Sequence, residues 1–278
     1  MLPTTGDKFF KTVSAATFRA FREAEIRLPP DVVAALVTAK ERETHTLAKR
    51  ELENILENIR LAEQQGVPIC QDTGVPVVYV TVPPDIPVSR ELLAAIADGV
   101  RIATKEIPLR PNVVSPLDRI NTGDNCGEGM PAVHIQPGER LLITVLPKGA
   151  GAENMSRLAM LLPTERNRIP SFVAETMLIA SGRPCPPVIL GVGIGGTFDG
   201  AAALAKEALL EPISSMTPYE QELCDAVNAL GIGPMGLGGR TTALAVKLKT
   251  AACHTASLPI AVNVQCWAAR RATVEVTW

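Results

Sequence analysis

A chain of 278 residues with 46% hydrophobic and 20% charged content has enough apolar material to bury a sizeable core. Its formal net charge of −2 and 4% aromatic content supply neither a basic footprint nor stacking platforms, which argues against nucleic acid as a partner. No run reaches the roughly 18 apolar residues of a membrane helix, and Met1–Lys11 lacks the basic region and apolar core of a secretory leader.

The first 66 residues read as helical. Phe9–Ile26 places apolar residues at 9, 10, 13, 18 and 21 on one face, Asp31–Lys40 follows the Pro29-Pro30 stop, and Thr44–Gln65 aligns Leu47, Leu52, Ile55, Leu56 and Ile59. The amphipathic second half of this region is expected to serve as core or subunit contact. Val75–Val82 then reads as a strand and Ser89–Lys105 as a helix. Val133–Ile135 and Arg140–Leu146, flanking Gln136-Pro137-Gly138-Glu139, read as a hairpin. Pro170–Ser181 is a helix, Pro187–Val192 a buried strand running into glycines, and Asp199–Leu210 a helix. Ala243–Leu248, Ile260–Val264 and Ala272–Val276 are strand-like. No internal repeat or disordered linker is visible. The expectation is one mixed α/β domain over 1–278, with a helical part over about 1–66 and an α/β part over about 67–278.

Cys70-Gln71-Asp72-Thr73-Gly74 concentrates a thiol, an amide, a carboxylate and a hydroxyl in a run bracketed by Pro68 and Gly74. That reads as a tight loop feeding the Val75 strand, where such groups converge on a pocket. The six cysteines, at 70, 126, 185, 224, 253 and 266, show no CxxC spacing, the usage of a reducing compartment, so a cytoplasmic location is expected. Three glycine-rich loops stand out, at 148–154, 191–196 and 231–240, and together suggest backbone brought near a compact ligand. Gly191-Val-Gly193-Ile-Gly195-Gly196 matches the GxGxxG pattern after a strand, but the acidic strand end expected ~20 residues on is replaced by Glu211-Pro212-Ile213-Ser214-Ser215. Three readings stand: a nucleotide-dependent oxidoreductase, close backbone packing, or a carboxylate site at a helix N-terminus.

The ordered set of Cys70-Gln-Asp-Thr-Gly, the 148–154 loop with Met155-Ser156, Cys185-Pro-Pro ahead of Gly191–Thr197, and His254 through Cys266-Trp267 resembles the α subunit of class I, iron–sulfur-dependent hydro-lyases. That family includes fumarate hydratase and L-tartrate dehydratase, and the resemblance spans nearly the whole chain. It implies that the α/β part binds a [4Fe–4S] cluster through Cys70, Cys185 and Cys266, three thiolates that leave one iron open as a Lewis acid. It further implies Asp72 and His254 as catalytic residues. Gln71, Arg110 and Gly149 become substrate contacts, Arg110 because a guanidinium presents two coplanar donors to a carboxylate. The implied reaction is reversible dehydration of a short dicarboxylic 2-hydroxy acid: malate to fumarate, within the tricarboxylic acid cycle, or alternatively L-tartrate to oxaloacetate. The family also implies a separate β subunit carrying part of the site, an α2β2 assembly, and inactivity of the α chain alone.

Among the remaining cysteines, Cys224 reads as a buried small hydrophobe, Cys253 as a neighbour of the site, and Cys126 stays open as a ligand. His45 reads as solvated and His134 as packed. Asn125–Pro131 and Leu162–Pro170 depart from the family pattern and are expected to affect specificity.

Overall fold

The computed structural model describes residues 6–278; the first five residues of the Met1–Lys11 stretch lie outside that range. In chain order the helices are α1 (Asp7–Ile26), α2 (Pro30–Arg42), α3 (Thr46–Gln65), α4 (Arg90–Glu106), α5 (Ala150–Glu153), α6 (Ile169–Ala180), α7 (Phe198–Ala208) and α8 (Pro218–Asn228). The strands are β1 (Val75–Val82), β2 (Ala132–Pro137), β3 (Leu142–Lys148), β4 (Arg157–Leu161), β5 (Val188–Gly196), β6 (Ala243–Cys253), β7 (Leu258–Gln265) and β8 (Ala272–Glu275). The fold is mixed α/β. No described helix is long and apolar enough to cross a membrane.

The chain forms two compact units, and their boundaries do not follow residue 66. The first takes the chain up to Pro29, then Ile59–Gly149 and Arg270–Trp278; the second takes Pro30–Asn58 and Ala150–Ala269. The reason lies in what α1 covers. Its apolar stripe of Phe9, Val13, Ala16, Ala20 and Phe21 is buried in one core with Val78 and Val80 of β1, Ile96 and Val100 of α4, and Ile143 and Val145 of β3. The approach of α1 and α4 needs Gly99, where a Cβ would meet Ser14 O and Thr17 Cβ at 2.5 Å. Ser89 caps α4 by accepting from Leu92 N at 3.2 Å.

The sheet of the first unit has the order β2-β1-β3-β8. β1 pairs parallel with β2 and antiparallel with β3, so β2 and β3 are not the hairpin that the Gln136–Glu139 turn suggests. The apolar run of β1, buried almost throughout, takes the centre of the sheet between them. The sheet of the second unit has the order β4-β7-β5-β6, with β5 parallel to β6 and antiparallel to β7.

The two sheets share one pairing order. A central strand (β1, β5) leads through helix to a parallel neighbour (β2, β6), then to an antiparallel strand on its other side (β3, β7). The fourth strand pairs antiparallel outside that, but it comes last in the chain in the first sheet (β8) and first in the second (β4). Sequence shows no such repetition, because the shared property is pairing order and not residue identity.

Candidate functional site

In the first unit the Cys70–Gly74 turn enters the central strand, and the end of β3 lies beside it in the register Val75↔Lys148. That pairing brings Gly149 to the turn. Gly74, at φ +73°, fits under β3 only without a side chain, since a Cβ would lie 2.7 Å from Lys148 N and C. A Cβ on Gly149 would stand 3.0 Å from Asp72 Oδ2.

Asp72 Oδ1 accepts from Gly74 N at 3.0 Å and from Asn112 Nδ2 at 3.3 Å. Asn112 Nδ2 also reaches Thr73 Oγ1 and Gly74 O, both at 3.1 Å. Arg110 arrives on the loop between α4 and β2, and its carbonyl is doubly held. Thr73 Oγ1 donates to it at 2.7 Å and Asn125 Nδ2 at 3.1 Å. Asn125 is fully buried at φ +59°, and its Oδ1 accepts from Asn112 N at 2.6 Å. The residue that opens the atypical 125–131 segment is thus a strut for the Arg110 loop.

With backbone and side-chain root fixed, the exposed Arg110 guanidinium reaches Gln71 Oε1 at a long 3.5 Å. Pro68, Cys70, Gln71, Thr73, Pro108 and Arg110 line an open cavity of about 480 Å³. A second cavity of about 490 Å³, lined among others by Asp31, Arg42 and Asp225, contains none of the anticipated site residues.

Beneath the turn lies a buried ion pair. Arg270 Nη1 donates to Glu25 Oε2 at 2.6 Å and Nη2 to the Asp72 carbonyl at 2.8 Å. Burial pushes the Glu25 carboxyl up to about 7, with the Arg270 guanidinium pulling against it.

The second unit holds Cys185, Cys266 and His254. Cys185 precedes the central strand β5 and Cys266 follows β7, in the register Ile189↔Gln265. Trp267 N donates to Cys185 O at 3.3 Å, joining the two cysteine-bearing segments. Cys185 itself adopts φ +53°. His254 lies exposed in the turn from β6 to β7, where Nδ1 accepts from Ala256 N at 3.1 Å.

Glycines of the 191–196 and 231–240 loops serve packing. A Cβ on Gly191 would lie 2.0 Å from Ala205 O, and one on Gly193 2.1 Å from Ala201 O, so both let α7 press on β5. The N-terminus of α7 is closed by its own residues, with Thr197 Oγ1 accepting from Gly200 N and donating to Asp199 Oδ1 at 2.6 Å. Packing thus accounts for Gly191 and Gly193, and Thr197 and Asp199 occupy the first turn of α7. The 231–240 loop packs behind Cys185, where Met235 N donates to Pro186 O at 2.8 Å and Gly236 lies on Gly182.

A family model described as "Fumarate hydratase (Fumerase)" matches residues 14–275. The chain belongs to the fumarate hydratase family. It is 47% identical over 277 residues to a protein of Methanocaldococcus jannaschii provisionally named L(+)-tartrate dehydratase subunit alpha, covering 95% of this chain and 97% of that one. It is 36% identical over 260 residues to the L(+)-tartrate dehydratase subunit alpha of Escherichia coli K12 and to that of Shigella sonnei. Those matches cover 90% of this chain and 86% of theirs. As a fumarate hydratase family member the chain is a hydro-lyase.

The family is generally iron–sulfur dependent, and thiol chemistry sorts the cysteines accordingly. Cys70, Cys185 and Cys266 are half-buried and in no disulfide. Cys126 and Cys224 are buried, with thiols pushed up to about 11 by desolvation and set against the Ala97 and Ala243 carbonyls. Cys253 is exposed and donates to Ser257 O. Half-buried thiols outside any disulfide keep the access that a metal ligand needs, which the deeply buried pair does not. Among the described residues no three or more His, Cys, Asp or Glu side chains converge as a metal-holding group. His134 stacks on Tyr79 at 4.7 Å and His45 is exposed, accepting from Ala48 N.

Proposed function

We propose that this chain is the α subunit of a [4Fe–4S] hydro-lyase that reversibly removes water from a short dicarboxylic 2-hydroxy acid, with a separate β subunit completing the site. The observation that carries the reading is the cavity on which Cys70, Gln71 and Arg110 meet, next to the fixed Asp72 carboxylate. Arg110 offers a bidentate clamp for a substrate carboxylate and Gln71 a hydrogen bond beside it. Gly149 lets substrate approach the main chain. Asp72, held through Oδ1, orients the substrate hydroxyl or passes a proton, and His254 contributes a second proton-transfer group.

Cys70, Cys185 and Cys266 would hold the cluster, which when bound supplies a Lewis-acidic iron for the leaving hydroxyl. The whole-length relatives carry L(+)-tartrate in their names, which favours tartrate to oxaloacetate over the malate-to-fumarate reaction that the family description favours. The test is anaerobic reconstitution with iron and sulfide in the presence of the β subunit, followed by assay with L-tartrate and with malate. Turnover of tartrate supports the reading, turnover of malate alone moves it to fumarate hydratase, and a formed cluster with neither activity refutes it.

A further inference from the structure

The turn carrying Cys70, Gln71 and Asp72 is gripped at both ends by one pair of buried residues. Glu25 accepts from Ile69 N through its main-chain carbonyl at 2.9 Å. Its side chain accepts from Arg270 Nη1, and Arg270 Nη2 holds the carbonyl of Asp72 at 2.8 Å. The Arg270 and Glu25 side chains are 1% and 0% exposed.

Burying two charges is a poor way to gain stability, since apolar residues of the same volume often do as well. A buried pair does fix direction. The planar guanidinium presents separate donors at set angles, so anchoring one to a carboxylate aims the other at a carbonyl. The carbonyl here belongs to the residue whose carboxylate faces Gly149. We infer that Arg270, locked by Glu25, is a positioning residue that sets the peptide plane at Asp72 and through it the orientation of the Gln71 and Asp72 side chains. The kinetic part of this inference rests on the hydro-lyase reading; the structural part does not.

Arg270→Lys keeps the charge and breaks the two-armed geometry, while Glu25→Gln keeps an acceptor for Nη1. Amide hydrogen exchange of the chain without cluster is the first readout. Arg270→Lys is expected to speed exchange over residues 69–74 about tenfold or more, with β5 unchanged and melting still cooperative. In the reconstituted α/β enzyme it lowers kcat about tenfold or more with KM within about twofold, and Glu25→Gln stays within about threefold of the parent.

Unchanged exchange over 69–74 overturns the inference, as does a parental kcat or a loss confined to KM. Should the lysine chain fail to fold, the doubly neutral Glu25→Gln/Arg270→Gln chain carries the same expectations. A parent enzyme inactive on both hydroxy acids would overturn the proposed function instead, and exchange alone would then decide the role of Arg270.

Discussion

Gly149→Ala tests whether the Asp72 carboxylate is held where the structure places it. The new methyl would lie 3.0 Å from Oδ2 and 3.5 Å from Cγ, and Gly149 is not in a left-handed conformation, so backbone strain does not enter. Relieving that contact requires the carboxylate to retreat about 0.5 Å, given that carbon–heavy-atom contacts settle near 3.5 Å. Such a shift takes the Gly74 N–Oδ1 bond from 3.0 Å to the limit of useful geometry, forfeiting about 1 kcal/mol. In a chain this long that is a fall in Tm of about 2 °C. Activity should suffer more than stability. Misplacement by about 1 Å costs about a hundredfold, so a shift of this size should lower kcat about tenfold. Thermal melting of the α chain and initial rates of the α/β enzyme measure the two effects. A Gly149→Ala enzyme with parental kcat and parental Tm would show that Asp72 yields without consequence, refuting the idea of a fixed carboxylate.

Three further outcomes follow from the same geometry. Glu25, with an ordinary value of 4.5 and a folded value of about 7, binds its proton more tightly in the folded chain. Its contribution is therefore full below pH 4.5 and lost as pH rises through about 7, by about 3 kcal/mol; urea unfolding of Glu25→Gln should lack this slope, and an unchanged slope would discard the assignment. Cys70→Ser, Cys185→Ser and Cys266→Ser should each abolish the visible absorbance of the reconstituted chain, while Cys126→Ser and Cys224→Ser keep it. Loss on changing either buried cysteine would reassign the ligands. Gly193→Ala drives a methyl to 2.1 Å from Ala201 O and should cost about 3 kcal/mol, with nicotinamide dinucleotides leaving the parent Tm unmoved. A dinucleotide-induced rise in Tm would restore the nucleotide reading.

The elements that sequence discloses are those whose cause is local. α4 and its Ser89 cap, and β1 between Gly74 and Val82, follow from periodicity and capping. The β2–β3 pairing fails for the opposite reason. A turn-like Gln136–Glu139 is a local signal, whereas the insertion of β1 between the two strands is a long-range event. The short edge strand β4 likewise has a partner about a hundred residues away and little pattern of its own.

Of the residues that motif resemblance singles out, Cys70, Gln71 and Arg110 line one cavity and Gly149 lies beside Asp72. Asn112, Asn125, Glu25 and Arg270 lie in no motif. A signal exists for Arg270, an arginine directly after the apolar Trp267-Ala268-Ala269 run, where only a paired charge can be buried. Nothing in one sequence says that its partner is Glu25, 245 residues earlier. The 191–196 glycines show the converse hazard, since a nucleotide-like pattern arises whenever a helix must lie on a strand.

The make-up of the first unit bears on the order in which it assembles. Its outer strand β8, and Arg270 just ahead of it, come from a segment separated from the rest of the unit by the stretch 150–269. Arg270 must close a separation of 198 residues to reach the Asp72 carbonyl and one of 245 to reach Glu25. Contacts so distant in sequence form late, because the entropy of loop closure is lost before they reward it, so the cysteine turn should be the last part of the first unit to set.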